Sequence, residues 1–309
     1  MQALGLGDTG DMATTPDILC IGSVLWDSIG RAPGAMHLGA VVPGRITRLP
    51  GGVALNIAKT LRRFGLTPLL LSAVGRDADG EALIAACARM GLITDHLYRP
   101  DDLPTDRYMA IEGANGLIAA IADAHALEAA GEAILCPLGD GRLGSAEAPW
   151  RGLIALDGNL TEALLAQIAA SNLFARADLR IAPASPGKAG RLTPLLTHPR
   201  ATFYVNLEEA GILARVRFGT AAEAARGLLG LGAARVLVTD GDHPAAFGAR
   251  GQAVITATPP PVPVTRITGA GDTFMAAHIV AEQRGAPPAA ALAAALRAAA
   301  AHVSGETGS

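Results

Sequence analysis

Gly269-Ala270-Gly271-Asp272 sets a carboxylate directly behind three residues with almost no side chain. Backbone of that kind leaves main-chain N–H groups open to an anion. The apolar run from Phe274 to Val280 reads as a buried helix, so the turn falls at a helix N-terminus. Unpaired N–H groups and the helix dipole favour negative charge there. A phosphate in that cradle would face Asp272, an acceptor able to take a proton from an incoming hydroxyl. That is the chemistry of phosphoryl transfer. The competing reading is a strand–turn–helix corner with Asp272 as its N-cap.

Other residues of suitable type recur just after apolar runs. Asp27 follows the first such run and could accept hydrogen bonds from a polyhydroxylated molecule; alone it equally suits a solvated turn. Gly51 and Gly52 would let a ligand approach the backbone, and Asn56 both donates and accepts. A glycine-capped helix with a wet Asn56 is the alternative. Asn206 and Glu209 have the spacing of a capping box. The same amide and carboxylate could hold the water shell of Mg²⁺, an ion that prefers few direct protein ligands. Thr239 and Gly241 end another apolar strand and offer a hydroxyl and backbone donors to a nucleotide.

The elements needed to gather these residues can be read from the runs. Strands are expected at 17–23, 68–75, 153–156, 179–182, 202–205 and 236–239, with helices at 53–64, 79–90, 161–170, 187–196 and 221–229. Two further helices follow Asp272 and Pro288, and a hairpin-like piece spans 245–255. Strands alternating with helices at this spacing predict an α/β fold with a mainly parallel sheet covered on both faces. Two stretches break the rhythm, about 28–50 and 100–122. They read as a small β lid over the C-terminal edge of the sheet, where ligands of open α/β folds bind. Residues 1–16 are expected to form a flexible tail before a domain over 17–309.

The chain has 309 residues, net charge −3 and no run of Lys or Arg, which implies neither a nucleic-acid surface nor an anionic membrane. Its three cysteines are far apart in apolar contexts and read as reduced core residues of a cytoplasmic protein. Residues 286–303 are apolar but broken by Pro287, Pro288 and Arg297, so a buried helix is expected rather than a membrane span.

Taken together, the glycine pair with Asn56, the Asn206–Glu209 pair and Gly269 to Asp272 resemble the signatures of the PfkB carbohydrate kinases. The resemblance implies the ribokinase-like fold, a three-layer α/β/α sandwich with a small β lid. It implies Asp272 as catalytic base and the N–H groups of Gly269, Ala270 and Gly271 as an anion hole. Asp27, Gly51, Gly52 and Asn56 match sugar contacts, Thr239 and Gly241 the nucleotide loop, and Asn206 and Glu209 the motif that organises Mg²⁺ and phosphate. ATP would be the co-substrate. Where the family commonly has an aspartate that helps to hold a monovalent cation, this chain has Arg266, which puts cation activation in doubt. The chain also ends soon after 298–303, so a shortened last strand and adenine wall are expected. Within the family, Thr105 to Ile111 with Leu117 to Asp123, Leu156 to Leu160 and Pro183 to Ala189 are similar to segments of the pseudouridine kinases. That similarity adds Arg107 and Asn159 as substrate contacts and Lys188 as a phosphate contact. It implies 5′-phosphorylation of pseudouridine, with another nucleoside, ribose or fructose as the alternative acceptor. A ligand sensor that kept the fold is the reading from another class. The lids would pair two copies into a homodimer, because unpaired strand edges seek partners.

Overall fold

Along the first strand Ile18 and Cys20 enter one core while Leu19 and Ile21 enter another. Successive strand residues point to opposite faces, so a strand apolar at every position needs cover on both sides. The computed structural model, which describes residues 15–265 and 268–305, supplies that cover in three layers.

The chain runs β1 (Ile18–Ile21), β2 (Leu25–Arg31), β3 (Arg45–Gly51), α1 (Val53–Arg63), β4 (Pro68–Leu71), α2 (Ala78–Arg89), β5 (Arg107–Gly113), β6 (Gly116–Asp123) and α3 (His125–Ala130). After a 3₁₀ segment come β7 (Leu153–Asp157), α4 (Glu162–Ala170), β8 (Asp178–Ala182), α5 (Pro186–Ala189), β9 (Ala201–Asn206), α6 (Leu207–Ala214) and α7 (Ala221–Gly230). The last elements are β10 (Arg235–Asp240), β11 (His243–Ala249), β12 (Ile255–Ala257), α8 (Ala270–Gln283) and α9 (Pro288–Ser304).

The main sheet has eight strands in the order β12-β11-β10-β9-β8-β7-β1-β4. From β10 to β4 all neighbours are parallel, and β11 and β12 return antiparallel. One face carries α1, α2, α8 and α9 through Leu55, Leu83, Ile279 and Leu292; the other carries α4, α6 and α7 through Leu165, Leu213 and Leu228. A second sheet, β3-β2-β5-β6, forms the lid from the two stretches that break the sequence rhythm.

Two expectations need correction, and one stretch has none. The helix expected over 187–196 is one turn, α5, followed by a 3₁₀ segment over Gly190–Leu195, because Pro194 removes a helical donor. Residues 125–138, without a clear sequence period, form α3 and the 3₁₀ segment Gly131–Leu138. Cys136 on that segment is exposed rather than core, whereas Cys20 and Cys87 are buried. Most of the expected 1–16 tail lies outside the described residues, as does Arg266. Among the described residues no helix is long and apolar enough to cross a membrane.

α8 is pinned from below. Arg180 on β8, almost wholly buried, donates to both oxygens of Asp178 at 2.9 and 2.6 Å, to Tyr204 at 3.0 Å, and to Glu282 near the end of α8. Arg235 reaches the same Glu282 at 2.8 Å, and the Tyr204 hydroxyl lies 2.9 Å from His278 Nδ1. The ion pairs and the tyrosine thus seat the helix whose first turn carries Asp272.

Candidate active site

Parallel registry between β1 and β7 aligns Ile21 with Leu156, so the residues that follow meet at the C-terminal edge of the sheet. There Ser23 donates its amide and hydroxyl to Asp157 Oδ2 at 2.8 and 2.5 Å. Gly22 makes the contact possible, since a Cβ on it would stand 2.3 Å from Asp157 Cβ. The N-terminus of α1 is anchored at the same place. Val53 N–H donates to Ser23 Oγ at 2.9 Å, Ala54 N–H to Asp157 Oδ2 at 3.3 Å, and Leu55 N–H to the Ser23 carbonyl at 3.3 Å. The orphan donors of this helix are therefore spent on the protein. The glycine pair serves as a close backbone approach: a Cβ on Gly51 would fall 1.9 Å from an Asp27 carboxylate oxygen, and one on Gly52 would meet the Ser23 carbonyl at 2.4 Å.

One helical turn into α1, Asn56 donates a side-chain hydrogen bond to Asp272. Asp272 is the third residue of α8, and the N-cap is Gly269, in a left-handed conformation with φ 86° and no side-chain cap. The turn thus presents backbone where a serine or aspartate cap would have supplied oxygen. Burial, then the negative charge of Asp157, push the Asp272 carboxyl up to about 7, with Asp27 adding to the rise and Asn56 and Lys59 opposing it. A carboxylate poised near neutral pH is suited to general-base work.

Lys59, three residues beyond Asn56, shares its face of α1. Its ammonium donates to the Pro50 carbonyl at 2.8 Å. Burial lowers its proton affinity while Asp27 and Asp272 raise it. Asp27 is in turn held above the usual carboxylate range by burial, against the pull of Lys59. Asp27, Lys59 and Asp272 therefore form one electrostatic group, with Asp157 behind it.

A second arm reaches the group from β7 and α5. Asn159 Nδ2 donates to Ser23 Oγ at 2.9 Å and to Asp157 Oδ1 at 3.0 Å, while Lys188 Nζ donates to Asn159 Oδ1 at 2.6 Å. Asn206 and Thr239 are register partners farther along the same sheet edge, and Gly241 follows in a turn with φ 58°. Asn206 and Glu209 do form a capping box: Glu209 N–H donates to Asn206 Oδ1 at 2.8 Å and Asn206 N–H to Glu209 Oε2 at 2.9 Å. Arg107 stands apart from the group. Strand alternation turns it away from the Asp27 side of the lid, where Tyr108 lies, and it pairs with Asp79 at 3.0 Å. Arg48 reaches the same Asp79 at 2.6 Å and lies over the Trp26 ring.

The donor set can be tested against Mg²⁺. Among the described residues no three acidic, histidine or cysteine side chains converge on a metal position. Glu209 is buried, with one oxygen on the Asn206 amide, which leaves Oε1 as the atom for a metal-bound water. That fits an ion held mainly by water and nucleotide phosphates.

Sequence reasoning did not single out Ser23, Lys59 or Asp157 as site residues. Asp157 had a usable signal, an acid closing the wholly apolar run Leu153 to Leu156. Lys59 had a weaker one, its i+3 spacing from Asn56.

Comparison with known proteins bears on the family and the fold. Pseudouridine kinase of Escherichia coli (strain K12) is 32% identical over 94 residues, 30% of each chain. Pseudouridine kinase of Arabidopsis thaliana is 28% identical over 100 residues, 32% of this chain and 26% of that one. The alignments thus span under a third of these relatives. Among solved structures, a carbohydrate kinase from Agrobacterium tumefaciens superposes with TM-score 0.75 at 26% identity, covering 93% of this chain and 90% of that one. Ribokinase from Thermotoga maritima gives 0.75 at 22% identity, with 94% and 93% covered. Arabidopsis thaliana ribokinase complexed with ribose and ATP gives 0.75 at 21%, with the same coverage. The fold is ribokinase-like, and the model of the pfkB family carbohydrate kinases matches residues 15–308: the chain belongs to that family.

Proposed function

We propose that this kinase transfers the γ-phosphoryl group of ATP to the 5′-hydroxyl of pseudouridine. The observation that carries the chemistry is Asp272, placed by Asn56 at the third position of α8, directly behind the Gly269–Gly271 backbone, with its carboxyl raised to about 7. The acceptor O–H gives its proton to Asp272 as its oxygen attacks the γ-phosphorus. The bond to the β–γ bridging oxygen breaks and ADP leaves. The N–H groups of Gly269, Ala270 and Gly271 face the charge that builds on the transferring group. Asp27, Gly51, Gly52 and Asn56 hold the ribose, Asn159 serves the base side, and Lys188, Asn206, Thr239 and Gly241 serve the phosphates and nucleotide, whereas Arg107, paired with Asp79 on the other lid face, takes no part. Glu209 would hold Mg²⁺ through water, and the ion would supply positive charge against the phosphates.

The choice of pseudouridine is supported by the two partial relatives of that name. The likeness to ribokinases favours ribose as second choice. Incubation with Mg-ATP and, separately, pseudouridine, uridine, adenosine, ribose and fructose, with ADP release measured, decides between them. The highest kcat/KM is expected with pseudouridine. A preference for a free sugar refutes the substrate but not the kinase; no turnover with any acceptor favours a ligand sensor.

The working unit we propose is a homodimer joined through the lids. On the lid face opposite Asp27, Ile46, Met109, Ile111 and Ile121 form an apolar surface, with Ile46 83% and Ile121 69% exposed. A contiguous apolar surface of this kind marks an interaction site. Sedimentation at micromolar concentration is expected to give a dimer that Ile121→Asp splits; a wild-type monomer overturns it. Three cysteines without a disulfide suit a reducing cytoplasm.

A further inference from the structure

The last turn of α9 lies against the turn that leads into α8. Thr265, at the entry, gives both its N–H and its hydroxyl to the Val303 carbonyl, each at 2.9 Å. One residue earlier on α9, His302 places Nε2 2.8 Å from the Thr268 carbonyl oxygen and Nδ1 3.3 Å from Thr273 Oγ1. A carbonyl only accepts, so Nε2 carries a proton; in the neutral ring Nδ1 then accepts from the Thr273 hydroxyl. One tautomer satisfies both contacts. Gly269 admits the ring, since a Cβ on it would stand 3.2 Å from Nε2.

These contacts reach the anion hole through the planarity of the peptide. The Thr268 C=O and the Gly269 N–H belong to one trans unit and point in opposite directions. Holding the carbonyl toward α9 holds the Gly269 N–H away from it. Thr273 directly follows Asp272, so the ring also ties down the residue next to the base. α9 thus braces the turn from both of its ends.

We propose that His302 is a positioning residue for phosphoryl transfer: its imidazole fixes the Thr268–Gly269 peptide and the first turn of α8, and so sets the direction of the anion-hole amides. The inference rests on reading Gly269 to Asp272 as anion hole and base. It predicts a defect in the transition state rather than in ground-state binding, because misdirected amides fail where charge develops.

His302→Leu keeps apolar bulk and removes both nitrogens, while His302→Gln returns an amide N–H in the place of Nε2. Both are assayed beside wild type and Asp272→Asn, with Mg-ATP and whichever of pseudouridine, uridine, adenosine, ribose or fructose the wild type turns over fastest. His302→Leu is expected to lose about 10–100-fold in kcat, the scale of a slight misplacement of catalytic groups. Both KM values should stay within about twofold, the mark of an interaction made only in the transition state. His302→Gln should recover most of the loss, with thermal midpoints of the two variants alike. Full kcat in His302→Leu, an equal loss in His302→Gln, or a loss confined to KM overturns the proposal. Should His302→Leu not fold, His302→Asn replaces it, because its shorter side chain falls short of the Thr268 carbonyl; equal activity of the Asn and Gln variants is then the overturning result. A fully active Asp272→Asn would instead overturn the anion-hole reading, whereas an inactive Asp272→Asn beside a fully active His302→Leu removes only the role of His302.

Discussion

Ser23 gives both its backbone amide and its hydroxyl to one oxygen of Asp157, a residue 134 positions away in sequence, at 2.8 and 2.5 Å. The pair does two jobs. It closes the N-terminus of α1, the helix that carries Asn56 and Lys59, and it fixes a negative charge behind Asp272. Asp157 is fully buried and tolerates this because five donors from Ser23, Ala54 and Asn159 surround it. Ser23→Ala removes one donor to Asp157 and the acceptor of the Val53 N–H. Leaving buried groups unsatisfied in this way costs about 1–3 kcal/mol. Urea unfolding should show a lower midpoint with unchanged slope; a midpoint equal to that of wild type would refute the anchoring role.

Asp272 must be ionised to accept a proton. With its carboxyl at about 7, log(kcat/KM) should fall with unit slope as pH drops below that value. Asp157 raises that value, so Asp157→Asn should shift the acidic limb to lower pH. Lys59 lowers it, so Lys59→Met should shift the limb to higher pH. The two shifts are opposite in sign, which separates an electrostatic effect from general damage. Shifts in the same direction would overturn the assignment of the limb to Asp272.

Asp272→Asn keeps size and hydrogen-bonding capacity at the third position of α8 but cannot take a proton. Loss of a general base costs about 10²–10⁴-fold in turnover. Calorimetric titration with Mg-ATP should meanwhile give an affinity close to that of wild type. Undiminished kcat would remove Asp272 from the chemistry, and lost ATP binding would recast it as a binding residue.

Much of this arrangement is legible in the sequence, and the reasons are specific. The strand ending at Ile21 and the one ending at Leu156 are continuous apolar runs, and such runs announce buried parallel strands. Gly269, Gly51 and Gly52 carry left-handed or crowded backbone that other residues could not adopt. Pairing across long sequence separation is not legible, because no local pattern encodes it. Lys59 reads as part of a wet helix face, since a half-buried cleft and open solvent select the same residue types. Arg107 and Tyr108 are neighbours in sequence, yet strand alternation sends them to opposite faces of the lid. His302 carries no sequence signal at all; its role follows from how α9 packs on α8.

Arg180 links α8 to the sheet, and its loss should be measurable as stability. Glu282 is held below the usual carboxylate range: burial raises its proton affinity, but Arg180, His278 and Arg235 outweigh that. A carboxylate depressed on folding stabilises the native state above its unfolded pKa, and that contribution fades as pH falls through the folded value. His278 is pushed down from 6.5 to about 4 by burial, so the unfolded chain binds more protons between those values. His278 therefore makes the protein lose stability as pH falls from about 6.5 towards 4, and Glu282 adds to the loss only once pH drops below its ordinary value of 4.5. Arg180→Met leaves Asp178 and Glu282 without their shared buried partner. Breaking a buried pair on one side costs about 3–5 kcal/mol, and Arg235, still on Glu282, should keep the loss near the lower figure. Without Arg180 the buried Glu282 takes up a proton at a higher pH than in wild type, which relieves the variant, so the gap should narrow as pH falls to 4. Urea unfolding at pH 7.5 and pH 4 measures it, and a gap of equal size at both pH values would show that Arg180 acts through packing rather than through its charge.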